Sequence, residues 1–346
     1  MPDFRVDDIR IQQTRPLIQP AILTEEIPRT EKAGRFVYES RNEIGRIIRG
    51  EDDRILVVVG PCSVHDPAAC LEFAEKLKVL HDRYEKRLLI VMRAYFEKPR
   101  TIAGWKGLIN DPDLDGTHRI NKGLRLARTF LRDLAELGIP AATEFLDTTV
   151  PQHIADLVSW GAIGARTVES QTHRELASGL SMPVGFKNAT DGRIQPAVDA
   201  VLAAQRPHWF PSTTKDGVAA LSQTSGNEDC HIILRGGQSG PNYEPKYVLQ
   251  ATSLLKDVGL RPSVMVDCSH GNSGKDHNRQ PEVLQNLVEQ IKSGEGRIFG
   301  VMLESHLCEG RMDYDPAQEL RKGMSITDAC LSFEQSEPLL EKLALA

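Results

Sequence analysis

A thiol, an imidazole, carboxylates and cationic side chains recur at one kind of place in this sequence, at or just beyond the ends of short apolar runs. Cys62 stands in VVVGPCSVHD on a Gly-Pro turn, Arg93 closes LLIVMR, Glu144 lies in PAATEF, Arg166 in AIGART, Lys187 in PVGFK and Arg235 in HIILRG. His270 follows in VDCSHGN, three residues past Asp267, and Glu304 ends RIFGVMLE. Charged residues often follow strands because loops are wet, and at any single position that plain reading stands level with a functional one. Four cations at one rim, Arg93, Arg166, Lys187 and Arg235, are harder to set aside. Their repulsion calls for bound anions, which points to phosphate and carboxylate ligands. Arg suits bidentate recognition of such planar groups, while Lys is a compact charge that can also move a proton. The tetrapeptide KPRT adds Lys98, Arg100 and Thr101, with Pro99 stiffening the backbone between the cations. Taken alone it is a weak sign of a second anion subsite, since a solvated loop explains it as well.

The remaining residues of this kind form a metal-ligand inventory: Cys62, His270, Glu304, and Asp328 in SITDAC. A free Cys is more often a small buried hydrophobe, so Cys62 carries that alternative beside it. One thiolate, one imidazole and two carboxylates mix soft and hard donors. Such a set suits a divalent Mn, Fe, Co, Zn or Cu ion better than it suits Mg or Ca, which prefer oxygen alone. His65, His118, His277 and His306 compete for the imidazole position, without as short a reach from a strand end.

What must position these residues is a repeated unit. From Ile55 onward, eight β-rich runs alternate with stretches of helical period, the pattern of βα units on a parallel sheet. Eight such units predict an α/β fold, a closed (β/α)8 TIM barrel, over an open doubly wound sheet, and no Gly-x-Gly-x-x-Gly follows the first run. Residues 1–50 read as an N-terminal extension with a helix near Lys32–Arg49, and residues 51–346 as the catalytic barrel. A long Gly- and Pro-containing loop covers Phe96–Thr117, and Arg206–Thr224 reads as an extra β-hairpin before strand 6.

Composition narrows the class. The chain has 346 residues, 40% hydrophobic and 26% charged, as in an ordinary globular protein. A formal charge of -6 argues against nucleic-acid binding by bulk positive charge, so any anion site is a local concentration of cations. No apolar run approaches the roughly 18 residues of a membrane span, and the charged amino terminus is unlike a signal peptide, so the expected location is cytoplasmic. The six Cys are scattered and read as thiols or a ligand before they read as disulfides.

The ordered motifs resemble a known family, the type I 3-deoxy-D-arabino-heptulosonate-7-phosphate (DAHP) synthases of the feedback-regulated bacterial and fungal group. The matching stretches are GPCSVHDP, MRAYFEKPRTIAGWKGLINDPDLDG, TEFLD, SWGAIGART, PVGFKN, HIILRGG, VDCSHGN and SITDAC, in order through nearly the whole chain. The resemblance implies condensation of phosphoenolpyruvate with D-erythrose 4-phosphate, with release of phosphate, at the head of the shikimate pathway. It implies one divalent metal ion on Cys62, His270, Glu304 and Asp328. Arg93, Lys98, Arg166, Lys187 and Arg235 are then the enol phosphate's contacts, and Arg100 and Thr101 those of the aldose phosphate. Lys98 is the expected proton donor and Glu144 a candidate base. Ile102-Ala103 departs from the Thr-Val or Val-Val of many relatives, at positions that read as packing. Cys330 is expected to approach Cys62 closely enough to form a disulfide on oxidation, with a plain buried thiol as the alternative. The resemblance also implies a homo-oligomer, a dimer or tetramer, with an aromatic amino-acid effector. Asp7, Asp8, Ser181, Phe210 and Ser212 are the candidate regulatory residues, with phenylalanine favoured. The rivals are 3-deoxy-D-manno-octulosonate 8-phosphate synthase, disfavoured by KPRT and the extension, and a silent amino-acid sensor, disfavoured because every ligand and cation is present.

Overall fold

Capping chemistry starts the chain's first long helix. In the computed structural model, which describes residues 6–100, 102, 104–294, 297–315 and 319–346, a short helix α1 (Pro20–Glu26) precedes α2 (Glu31–Arg49). Thr30 accepts a hydrogen bond from the Ala33 amide to begin α2, and Gly50 ends it at φ 65. The helix expected near Lys32–Arg49 is therefore present, one residue longer.

Beyond it the βα alternation runs as the apolar runs require. In order come β1 (Ile55–Gly60), α3 (Pro67–Tyr84), β2 (Leu88–Arg93), α4 (Ile120–Leu137), β3 (Ala141–Glu144), α5 (Pro151–Ile154) and β4 (Trp160–Ile163). Next are α6 (Gln171–Gly179), β5 (Val184–Lys187), α7 (Gln195–Ala204), β6 (Trp209–Thr213) and β7 (Ala219–Gln223). The chain closes with β8 (His231–Leu234), α8 (Pro245–Asp257), β9 (Val264–Asp267), α9 (Gln280–Ser293), β10 (Ile298–His306), β11 (Leu331–Ser332) and α10 (Phe333–Ala344). Strands β1, β2, β3, β4, β5, β8, β9 and β10 pair in parallel in that order, and β10 returns to β1, so the sheet closes into a (β/α)8 barrel. Strands β6 and β7 form the expected antiparallel hairpin outside it.

Strand periodicity decides what fills the barrel. Leu56, Val58, Leu89, Val91, Ala142, Trp160, Ala162, Ile233, Met265 and Met302 form one apolar cluster, while Val57, Val59, Ile90 and their like pack outward on the helices. Ile44, Ile47 and Ile48 of α2 join the inner cluster and close the barrel's N-terminal mouth. At that floor lies His231, which accepts a hydrogen bond from Trp160 Nε1 at 3.2 Å, faces the Asp229 carbonyl through Nδ1 at 3.1 Å and meets the Phe299 ring edge-on. Burial lowers its pKa to about 4, so the imidazole is neutral. Among the described residues no helix is long and apolar enough to cross a membrane.

Candidate functional site

Two residues along each strand from an inward apolar position, the side chain again points into the barrel. At the C-terminal rim that rule brings in Arg93 after Val91, Glu144 after Ala142, Arg235 after Ile233, Asp267 after Met265 and Glu304 after Met302. Lys187 stands two past Gly185. The polar layer is thus the continuation of the apolar one. Gly60 lets β1 and β2 converge there: its φ is 154, and a Cβ would stand 2.8 Å from the Arg93 carbonyl oxygen. The chain then turns through Cys62 and re-enters a helix at Asp66, whose carboxylate caps the Ala68 and Ala69 amides of α3.

Cys62, Glu304 and Asp328 offer ligand atoms that all lie within 4.8 Å of one another. His270 adjoins them, with Nε2 3.7 Å from Glu304 Oε1 and Nδ1 3.0 Å from Asp267 Oδ2. Glu304 Oε1 is buried and accepts no well-aligned hydrogen bond, although Arg93 Nη2 lies 2.9 Å away. A sulfur and an under-coordinated carboxylate facing one point, with an imidazole beside them, fit a divalent cation with mixed donors. Asp328 comes from outside the barrel strands. The excursion between β10 and β11 carries it back, held by Gly310–Cys330 backbone pairing and by Ser63 Oγ to Thr327 Oγ1 at 2.8 Å. Cys330 places its sulfur 3.4 Å from the Cys62 amide nitrogen, and both thiols are free.

The charges here hold one another. Burial would raise the Glu304 pKa, but His270, Arg93 and Lys98 outweigh it and bring it down to about 2. Burial and the Glu304 carboxylate push the Cys62 thiol up. Lys98 Nζ lies 3.2 Å from both Cys62 Sγ and the Cys62 carbonyl oxygen. Burial works against the charge on Lys98, yet the Cys62, Glu304 and Asp328 groups raise its pKa overall.

Above this layer opens a cleft of about 430 Å3 lined by Lys98, Arg100, Arg166, Lys187, Arg235 and Lys275, with Glu144 and Asp328 as its carboxylates. Among the described residues, six cations against two carboxylates give this cleft a local excess of positive charge in a chain of net charge -6. A larger open groove beside Cys308 has one Arg and two Glu on its walls, so it lacks that charge. Burial beside Arg166 lowers the Arg235 pKa, as expected for neighbouring cations that an anion would relieve.

The structure does not bring every expected residue to the open cleft. Arg93 is buried beneath it, with its guanidinium 3.6 Å above the Tyr95 ring centroid and bonded to the Pro61 carbonyl and to Met302 Sδ. Arg166 stands three residues beyond its strand, not at the end of it. Arg100 is on the rim, where Nε donates to the Trp105 carbonyl at 2.8 Å. Thr101 lies outside the described residues. Of the regulatory candidates, Phe210 and Ser212 are on β6, and Ser181 follows α6, which the hairpin joins through Ser178 and Thr224 hydroxyls 2.7 Å apart. Asp7 and Asp8 are in an exposed turn whose hydrogen bonds, among the described residues, stay within it.

Several residues that support the site escaped the reading of the sequence. Asp267 pairs with Lys187 at 3.2 Å as well as with His270. Gln280 holds both backbone groups of Glu304. Three buried asparagines join the rims of β5, β8 and β9: Asn188 Oδ1 accepts from the Arg235 amide, Asn242 Oδ1 from the Gly236 amide, and Asn272 Oδ1 from the Asn242 amide. The period-2 phase would have found Asp267; the amides carry no such signal.

Comparison with known proteins gives one consistent result. The sequence model described as the DAHP synthetase I family matches residues 26–341. The chain is 54% identical over 338 residues to a phospho-2-dehydro-3-deoxyheptonate aldolase of Haemophilus influenzae, covering 98% of this chain and 93% of that one. It is 53% identical over 344 residues to the Phe-sensitive enzyme of that name from Escherichia coli, covering 99% and 98%. The solved structure of the Francisella tularensis protein of the same name superposes with a TM-score of 0.94 at 54% identity, covering 97% of this chain and 98% of that one. With a barrel rim of this composition and matches that run nearly its whole length, the chain belongs to the DAHP synthetase I family.

Proposed function

We infer that this protein is a DAHP synthase, an enzyme that condenses phosphoenolpyruvate with D-erythrose 4-phosphate and water to give 3-deoxy-D-arabino-heptulosonate 7-phosphate and inorganic phosphate. The observation that carries the reading is the pairing of one cation-lined cleft with one thiol-containing ligand cluster beneath it. Two phosphorylated substrates repel each other and need such a cleft to meet.

Lys187, Arg166 and Arg235 hold the enol phosphate, with Lys98 closing the side near Cys62. Arg93 is assigned with them, and its burial adds a second role, that of keeping Glu304 ionised and oriented from below. Arg100 and Thr101 take the phosphate of the aldose. So held, C3 of the enol phosphate faces the aldehyde carbon. As the carbon–carbon bond forms, Lys98 gives a proton to the aldehyde oxygen, which becomes a hydroxyl. Water adds at C2, Glu144 takes its proton, and the resulting hemiketal phosphate collapses to the ketone as phosphate leaves. Cys62, His270, Glu304 and Asp328 would hold a divalent Mn, Fe, Co or Zn ion, which when bound supplies Lewis acidity toward the aldehyde oxygen.

The same reading places the enzyme in the cytoplasm as a homo-oligomer under feedback by an aromatic amino acid, with phenylalanine favoured. Relatives of this chain are named for sensitivity to phenylalanine, tyrosine or tryptophan. Phosphate release from phosphoenolpyruvate tests the activity: it should be fast with erythrose 4-phosphate, negligible with arabinose 5-phosphate, and abolished by a chelator. Equal rates with the arabinose phosphate would move the assignment to the octulosonate enzyme.

A further inference from the structure

A second pocket, of about 400 Å3, opens sideways from the cleft between the loops that follow β8 and β9. Arg166, Arg235 and Lys275 line both spaces, and Arg279 lines the side pocket alone. Among the described residues, no Asp or Glu is on the side pocket's wall. Four cations therefore face one space, and a bound anion would lower their mutual repulsion.

The turn that presents Lys275 is fixed by its backbone. Lys275 has φ 66 and Gly274 φ 60, and the Lys275 amide donates to the His270 carbonyl at 2.8 Å. Among the described residues the Lys275 ammonium has no ion-pair or hydrogen-bond partner. Asp276 beside it is turned away, accepting from the Asn278 amide at 3.0 Å. Arg279 folds back over the turn, with Nη1 3.5 Å from where a Cβ on Gly274 would stand, and it pairs with the exposed Glu282 at 3.7 Å.

We propose that this side pocket is a second phosphate subsite, built on Lys275 and Arg279, that receives inorganic phosphate as it leaves the reaction. The proposal rests on the condensation described above, which frees one phosphate per turnover inside a cleft of cations. Departure straight to water would break every contact at once. An anion that moves sideways keeps Arg166 and Arg235 while it exchanges Lys187 for Lys275 and Arg279, so the loss of charge-assisted hydrogen bonds is spread over two steps.

Because Arg166 and Arg235 line both spaces, the subsite predicts that phosphate can dock on Lys275 and Arg279 while these arginines still hold phosphoenolpyruvate on the cleft side. With erythrose 4-phosphate saturating, so that the aldose subsite is filled, added inorganic phosphate should inhibit the holoenzyme in a mixed pattern against phosphoenolpyruvate. In Lys275→Ala/Arg279→Ala the noncompetitive component should weaken about tenfold or vanish, leaving competitive inhibition. Both side chains are exposed, and Lys275→Gln provides a milder second variant. Purely competitive inhibition of the wild type, or a mixed component unchanged in the double variant, would overturn the subsite. A wild type that releases no phosphate from the two substrates would instead sink the synthase reading.

Discussion

Glu304 shows how little freedom a side chain in this site retains. Ser269 Oγ donates to one of its oxygens at 2.9 Å, Arg93 faces the other at 2.9 Å, and Gln280 grips its backbone from behind. Removing one member of a buried pair such as Arg93–Glu304 costs about 3–5 kcal/mol, because the partner is left charged and dry. Cys62 is the softest donor in the cluster, so Cys62→Ala should purify with little bound divalent metal and less than about 1% of activity, read by elemental analysis beside the phosphate-release assay. Normal metal content and turnover in that variant would remove Cys62 from the ligand set. Lys98→Met should lose about 100-fold or more in kcat while keeping its metal, the size expected for a missing proton donor; a change confined to KM would leave Lys98 as a binding residue only. At this scale the sequence was legible wherever a reactive side chain ended an apolar run. Asp267 ends such a run in the inward phase, but its partner was not legible, because only the closed barrel sets Lys187 against it.

Elements, in turn, place these groups through close backbone approach. The loops after β5, β8 and β9 touch one another at Gly236, where φ is 70 and a Cβ would stand 2.4 Å from the Gly271 carbonyl carbon. Gly236→Ala should therefore push Arg235 out of register and raise KM for phosphoenolpyruvate about tenfold or more, with a lower melting temperature. Unchanged kinetics would show that the loops can part without cost to the cleft. Strand positions were readable because β-branched runs and period-2 alternation coincide, and the hairpin because its Pro and Gly punctuation interrupts the βα rhythm. The asparagine chain that ties the three loops was hidden. Asn242 follows Asn188 by 54 residues and precedes Asn272 by 30, and an amide gives no hint in sequence of which loops it joins.

For the molecule as a whole, the barrel floor sets a limit at low pH. The folded pKa of His231, about 4, lies below the 6.5 of the exposed residue. Above pH 6.5 the folded and unfolded chains are both neutral there and this group adds no pH dependence. As pH falls from 6.5 toward 4 the unfolded chain takes a proton that the folded chain refuses, so stability is lost. Between pH 7 and pH 4.5 the loss from this one group is about 2 kcal/mol. Urea unfolding of wild type and His231→Gln at the two pH values should show the variant losing less by that amount; parallel losses would place the acid sensitivity elsewhere. The closed barrel was legible from its eight repeats. That α2 would supply the floor was not, because its Ile44, Ile47 and Ile48 stripe names no partner.

The Trp160–His231 contact at that floor also gives the protein a built-in optical reporter. The chain has three tryptophans. Trp209 is exposed on the hairpin and Trp105 is half-buried in the loop over the cleft, whereas Trp160 is fully enclosed with its indole N–H on the imidazole. A neutral imidazole leaves indole emission bright and an imidazolium quenches it. Blue-edge fluorescence therefore follows the closing of the barrel bottom in real time, apart from events at the hairpin and the cleft, with no dye attached.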